Sequence, residues 1–232
     1  MAISAIAIVP AGGRSRRLGR LVGPGGKAAL PLGGPRGDGP SLLAGVCGTL
    51  ADELDRVIVV AAADQPLPDL PDTVAIIRDT RPAAGPLAAI GDGLRHARDT
   101  GTDPAAAVII AACDLPRLAP AIVRLLRDAV AKDGVRWAVP LVAGHPQVLL
   151  SAMRAGMLVE IERLLAAGGA SPRQLLASLG GPPAARLVEE ALLRVADPGL
   201  ESFADIDTPD DLARFEDHRA GPGRPNGPPS GG

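Results

Sequence analysis

Apolar residues in this chain come in two alternating rhythms. Short continuous runs such as Ile6-Ala7-Ile8-Val9 and Val108-Ile109-Ile110-Ala111 are partly β-branched and read as strands buried on both faces. Between them lie longer stretches whose apolar positions recur at the helical period, leaving one face polar. Strands are predicted near 3–9, 56–61, 74–78, 106–112, 135–141 and 146–150, with a short late one near 192–196. Helices are predicted over 41–54, 86–99, 117–131, 155–167, 171–179 and 209–217. Ser41 is placed to cap the first helix, and Pro86 and Pro209 fit first turns, where a missing N–H costs nothing. The alternation points to an α/β fold with a mostly parallel sheet covered on both faces.

Composition narrows the picture. A chain of 232 residues accommodates one well-buried α/β domain and little more. Residues 219–232 carry no apolar content to bury, so a domain over 1–218 and a disordered Gly/Pro-rich tail over 219–232 are expected. With two Phe, one Trp and no Tyr, the core must be built from Ala, Val, Leu and Ile, and stacking platforms for nucleic acid are lacking. The net charge of −2 likewise leaves no basic footprint for DNA or RNA. Cys47 and Cys113 suffice for neither a disulfide framework nor a four-ligand zinc site; they read as free thiols in a reducing cytoplasm. No run is long enough to span a membrane. The N-terminal apolar stretch lacks a basic leader and reads as a strand rather than a signal peptide.

Four motifs carry candidate chemistry. The first strand runs into Pro10-Ala11-Gly12-Gly13-Arg14-Ser15-Arg16-Arg17-Leu18-Gly19, with Lys27 following. Glycines let the backbone approach a ligand closely and the cations stand beside it, a combination that suits a polyphosphate. The pattern is neither a Walker A loop nor GxGxxG; taken alone, it also reads as a tight turn with solvated charges. The second motif, Cys113-Asp114-Leu115-Pro116, puts a carboxylate at the end of a buried strand, where it either holds Mg²⁺ or only closes a turn. The third joins Asp79 to Gly85-Pro86-Leu87-Ala88-Ala89-Ile90, a loop and helix start whose backbone N–H groups can face a ligand; Gly85 equally reads as a plain turn and Asp79 as a surface charge closing its strand. The fourth is Phe203 through Leu212. Capping explains Thr208, Asp210 and Asp211 there but leaves Asp205 and Asp207 free for a metal or substrate site. Of the histidines, His145 in Gly144-His145-Pro146-Gln147 is the candidate for lining a substrate pocket.

In this order the four motifs resemble the MobA-like nucleotidyltransferases that build the molybdenum cofactor. The family's LAGG-x-S-x-R-M-G…K signature is met by Pro10 through Gly19 and Lys27, its Asp…GPLAGI segment by Asp79 and Gly85 through Ile90, its C-D-x-P motif by Cys113 through Pro116, and its closing F-x-N-I-N-T-P-E-D-L by Phe203 through Leu212. The resemblance covers about residues 3–217. It implies a Rossmann-like three-layer α/β/α nucleotidyltransferase fold with a mostly parallel mixed sheet. It also implies Mg²⁺-dependent transfer of a nucleoside monophosphate from an NTP, GTP first among them, to a phosphorylated acceptor such as molybdopterin, releasing pyrophosphate.

On that reading Pro10, Ala11 and Gly12 meet the nucleotide with their backbone, Lys27 binds its phosphates, Asp79 meets the nucleoside and Asp114 holds Mg²⁺. Gly13, Arg14 and Gly85 join the nucleotide set, Arg17 joins Lys27 and Asp114 as a catalytic candidate, Asp207 is the second metal acid, and His145 and Asp205 face the acceptor. Four departures stand out. Pro10 replaces the usual Leu and removes an N–H; residues 20–26 delay Lys27, so the loop must bulge; Ala61 stands where an Asn is common; and Asp205-Ile206-Asp207 with Gly144-His145-Pro146 resembles the MocA-like cytidylyltransferase branch. A cytidylyltransferase, another small-molecule nucleotidyltransferase of the fold, or a non-catalytic nucleotide-binding protein is the alternative.

Overall fold

The computed structural model describes residues 4–13, 16–33, 39–81, 84–169 and 171–220. The strands are β1 (Ala5–Pro10), β2 (Arg56–Ala61), β3 (Val74–Arg78), β4 (Ala107–Ala111), β5 (Trp137–Val142), β6 (His145–Pro146), β7 (Leu150–Arg154) and β8 (Ala185–Val188). The helices are α1 (Leu42–Ala51), α2 (Pro86–Asp99), α3 (Pro120–Val130), α4 (Leu158–Ala166), α5 (Pro172–Ser178), α6 (Glu190–Ala196) and α7 (Pro209–Ala220). One sheet runs in the order β3-β2-β1-β4-β7-β5-β6, with β8 also on β5. β1 to β4 are mutually parallel, and β7 enters antiparallel between β4 and β5. The mixed, mostly parallel α/β sheet expected from the apolar runs is therefore present.

Alternation along β1 divides the core. Ala5, Ala7 and Val9 face α1, α3 and α6, whereas Ile6 and Ile8 face α2, α4 and α5. α2 lies so close to β1 that a Cβ on Gly93 would come within 2.7 Å of the Ile8 side chain. A third, smaller cluster gathers Leu18, Leu30, Leu32, Leu42 and Ile206. It anchors two 3-10 turns, Arg16–Leu21 before Lys27 and Lys27–Ala29 beginning at it. Ser41 caps α1 as expected, its Oγ accepting from the Ala44 N–H at 3.2 Å.

Three elements differ from the sequence expectation. The strand expected at 146–150 splits: after Pro146 the chain turns, Gln147 N–H donates to Pro140 C=O at 2.8 Å, and β7 begins only at Leu150. The segment 155–167 opens with a 3-10 turn, Ala155–Met157, before α4. The late strand is at Ala185–Val188, and 192–196 belongs to α6. Only Leu193 of that helix is fully buried, while Leu192 and Val195 face outward and Glu190 pairs with Arg194 one turn on at 2.7 Å, which is helical spacing. α7 continues to Ala220, and residues 221–232 of the expected tail lie outside the described residues.

Candidate active site

β1 to β4 end at one edge of the sheet, and the loops beyond them enclose a cavity of about 890 Å³. Open α/β sheets bind ligands at this edge because the loops diverge there. Pro10, Ala11, Gly12 and Gly13 line the cavity from β1, Asp79 from β3, Gly85 and Pro86 from the start of α2, and Cys113 and Asp114 from β4; Arg17, Lys27 and Asp207 complete the wall.

The glycine loop has a definite division of labour. Pro10 has no N–H, and Ala11 donates its own to Val60 C=O at 2.8 Å. The N–H groups of Gly12 and Gly13 have no internal partner among the described residues. A Cβ on Gly13 would meet nothing within 4 Å, and one on Gly12 would only touch Ala62. The fold itself does not require either glycine, so the space they keep open belongs to the cavity. Across it, Gly85 starts α2 at φ +86°, a conformation other residues rarely adopt, and no side chain caps the helix. The first-turn N–H groups therefore give that wall a partial positive charge.

Opposite lie the acids. One carboxylate oxygen from each of Asp114, Asp205 and Asp207 lies within 4.8 Å of the other two. Lys27 Nζ donates to Asp114 Oδ2 at 2.7 Å and also to Asp207, and Arg17 donates to Asp207 Oδ2 at 2.8 Å. Two tethers converge these distant segments: Ile206 N–H donates to Asp114 C=O, and the Ile206 side chain packs beside Leu18 and Leu30. Burial pulls the Lys27 pKa down, but Asp114 and then Asp207 outweigh it, so the ammonium is held charged. Asp205 is pushed up, first by desolvation and then by the charges of Asp207 and Asp114. Two of these three carboxylates pair with Lys27 or Arg17 among the described residues, and together the three form a hard oxygen donor set that fits a divalent cation such as Mg²⁺. The Cys113 thiol is raised to about 12 by burial and by Asp114; it is protonated and no nucleophile.

The structure thus gathers Pro10, Ala11, Gly12, Gly13, Arg17, Lys27, Asp79, Gly85, Asp114 and Asp207 around one cavity. Asp205 joins the acid cluster and lines a smaller neighbouring pocket of about 190 Å³ with Arg117 and Phe215. His145 is exposed on β6, outside the lining of the large cavity. Arg14 lies outside the described residues.

Two residues escaped the sequence reading. Asp92, buried on α2, accepts from Thr80 N–H and Oγ1, each at 2.8 Å, and from Arg95 Nη1 at 2.6 Å, which ties the Asp79 loop to the helix. An acid among apolar positions of a helical pattern was the available signal. Gln65, after β2, joins three loops through its amide, and no local pattern marks it.

The model of the MobA-like NTP transferase domain matches residues 7–184. The chain belongs to this family. It is accordingly a nucleotidyltransferase, and relatives agree. A protein of Mycolicibacterium paratuberculosis described as a probable molybdenum cofactor guanylyltransferase is 39% identical over 73% of this chain and 79% of its own length. A Mycobacterium tuberculosis protein of the same description is 35% identical over 78% and 82%. Among solved structures, the molybdopterin-guanine dinucleotide biosynthesis protein A of Archaeoglobus fulgidus superposes with a TM-score of 0.70 at 23% identity, covering 93% of this chain and 98% of its own. A Thermus thermophilus 2-C-methyl-D-erythritol 4-phosphate cytidylyltransferase superposes with a TM-score of 0.61 at 20% identity, covering 94% and 98%. At these identities the two structures bear on the fold alone. Among the described residues, no helix is long and apolar enough to cross a membrane.

Proposed function

We propose that this MobA-like protein transfers GMP from GTP to the terminal phosphate of molybdopterin or a closely related pterin, in the cytoplasm and with Mg²⁺. The observation carrying this reading is the pairing, across one cavity, of unpartnered Gly12 and Gly13 N–H groups with Lys27 and the Asp114/Asp205/Asp207 cluster; the description of the mycobacterial relatives supports guanine and the pterin. In the reaction an acceptor phosphate oxygen attacks the α-phosphorus, the bond to the β-phosphate breaks and pyrophosphate leaves, so no protein nucleophile is required. The protein's part is positioning and charge compensation. Gly12 and Gly13 donate to phosphate oxygens, and Lys27 leaves the carboxylates to neutralise the triphosphate. Asp79 orients the nucleoside. Asp114 and Asp207, with Asp205 beside them, would hold Mg²⁺, which would supply charge neutralisation at the phosphates.

The resemblance of Asp205-Ile206-Asp207 and Gly144-His145-Pro146 to the cytidylyltransferase branch favours CTP as the second reading. Pyrophosphate release with molybdopterin and each of GTP, CTP, ATP and UTP, with and without Mg²⁺, decides between them. GTP-dependent, Mg²⁺-dependent release is expected; preference for CTP would replace the nucleotide assignment, and release unaffected by chelation would remove the metal.

A further inference from the structure

The stretch before Lys27 is long, and a lysine at the end of a long loop needs something to bring it back to the phosphate cradle. The Gln65 amide is bonded on every side. Its Oε1 accepts from Ala62 N–H at 3.1 Å, and its Nε2 donates to Ala11 C=O at 3.0 Å and to Gly25 C=O at 3.1 Å. Ala11 opens the glycine loop, and Gly25 lies two residues before Lys27. The platform beneath is itself fixed: Arg78 at the end of β3 donates to Ala62 C=O at 3.0 Å and to Gln65 C=O at 2.8 Å. Packing independently places the turn against the same platform, since a Cβ on Gly25 would come within 2.6 Å of Ala29 Cβ and 3.0 Å of Pro66 C=O.

We propose that Gln65 is a positioning residue that holds the Lys27-bearing turn in register with the glycine loop, so that both ends of a triphosphate chain are met at once. The proposal rests on the nucleotide site argued above. Gln65 touches no phosphate; it uses two amide hydrogens to fix two carbonyls from different loops at one spacing, a task neither a carboxylate nor an apolar side chain of equal length can perform.

The test compares wild type with Gln65→Met, which keeps length and removes all three bonds, and Gln65→Glu, which keeps the acceptor and sets charge against two carbonyls. Two measurements are made on the full chain: amide hydrogen exchange at Ala62 and residues 25–29 without nucleotide, and steady-state kinetics with Mg²⁺-GTP. Exchange at residues 25–29 should quicken by about tenfold in both variants, and at Ala62 only in Gln65→Met, because glutamate keeps the oxygen that accepts from that N–H. KM for the nucleotide should rise by on the order of tenfold or more, further for Glu than for Met, in variants that remain folded by circular dichroism. A lower kcat at unchanged KM would mean only less folded enzyme, and would overturn the proposal. Unchanged exchange, or quickened exchange with unchanged KM, would overturn it equally. If wild type itself turns over no nucleotide, the functional reading fails, and the exchange measurement still decides whether Gln65 anchors the turn.

Discussion

The Asp92 carboxylate and the Asp114/Asp205/Asp207 cluster stand in surroundings opposite in kind. Asp92, on the β3 side, is 4% exposed and enclosed by donors: the Thr80 N–H and hydroxyl and the Arg95 guanidinium, itself paired with Glu162 at 3.2 Å. Burial raises its pKa, yet these bonds outweigh burial and hold the carboxyl below the ordinary range. Asp114, Asp205 and Asp207, on the β4 side, crowd together around Lys27 and Arg17, and Asp205 is pushed up. An acid whose lone pairs are all met by the protein serves the fold. A group of acids with fewer paired cations among the described residues is the arrangement expected to take up a cation from outside, a contrast between site and scaffold that needs no motif.

Breaking the comparison on the site side should have the largest effect. Asp114→Asn keeps the size and removes the charge, so turnover should fall by on the order of 10²–10³-fold, the scale for losing one preorganised electrostatic stabiliser. The fold should persist, read by circular dichroism, while Mg²⁺ should no longer raise the melting temperature. Normal turnover at the same Mg²⁺ concentration would reduce Asp114 to a turn residue.

Lys27→Ala comes next. NTP binding or turnover should weaken by about 10²-fold. Without metal, the variant leaves the three acids with less compensation, so its melting temperature should fall below that of wild type. Mg²⁺ should then raise it by more than it raises wild type, because the ion takes the place of the ammonium. Equal metal shifts in the two proteins would mean that Lys27 does not occupy the metal's position.

How legible this was in sequence varied with the reach of the interactions. The strands under the site were visible because β1, β2 and β4 are buried on both faces and print as unbroken apolar runs. The four motifs were visible because each is local. The far edge of the sheet was misread where short segments carry mixed signals: Pro146 ends a two-residue strand, and Leu193 and Val195 on either side of Arg194 mimic strand alternation on a helix. The bulged loop was expected, but not that Leu18 and Leu30 would fold it back onto Ile206. Gln65 was out of reach in principle, since its partners Ala11 and Gly25 lie 54 and 40 residues away and are backbone carbonyls, which any residue supplies.

On the scaffold side, Asp92→Asn should cost stability rather than chemistry. The amide keeps an acceptor for Thr80 but loses the charge that Arg95 meets, a loss of about 1–3 kcal/mol for a buried charged hydrogen bond. The sign with pH follows from the lowered pKa. A depressed folded-state pKa contributes stability above the unfolded value of about 3.9 and loses it as pH falls through the folded one. The gap between wild type and variant, read by thermal melting, should therefore be full at neutral pH and close below about pH 4. A gap that stays constant into acid would show that shape, not charge, is what Asp92 supplies.

The smallest effect sharpens the comparison most, because its sign is opposite. Among the described residues no cation hydrogen-bonds Asp205, and both desolvation and the adjacent acids oppose its charge. Asp205→Asn should then raise the melting temperature of the metal-free protein, by no more than about 1 kcal/mol of stability because the carboxyl is partly solvated. In saturating Mg²⁺ the order should reverse, since wild type offers the ion one more anionic oxygen and gains more from binding. Melting curves of both proteins across a Mg²⁺ series read the crossing directly. A variant less stable than wild type without metal would mean that Asp205 is compensated like Asp92, and the distinction drawn between Asp92 and the acid cluster would fail at that residue.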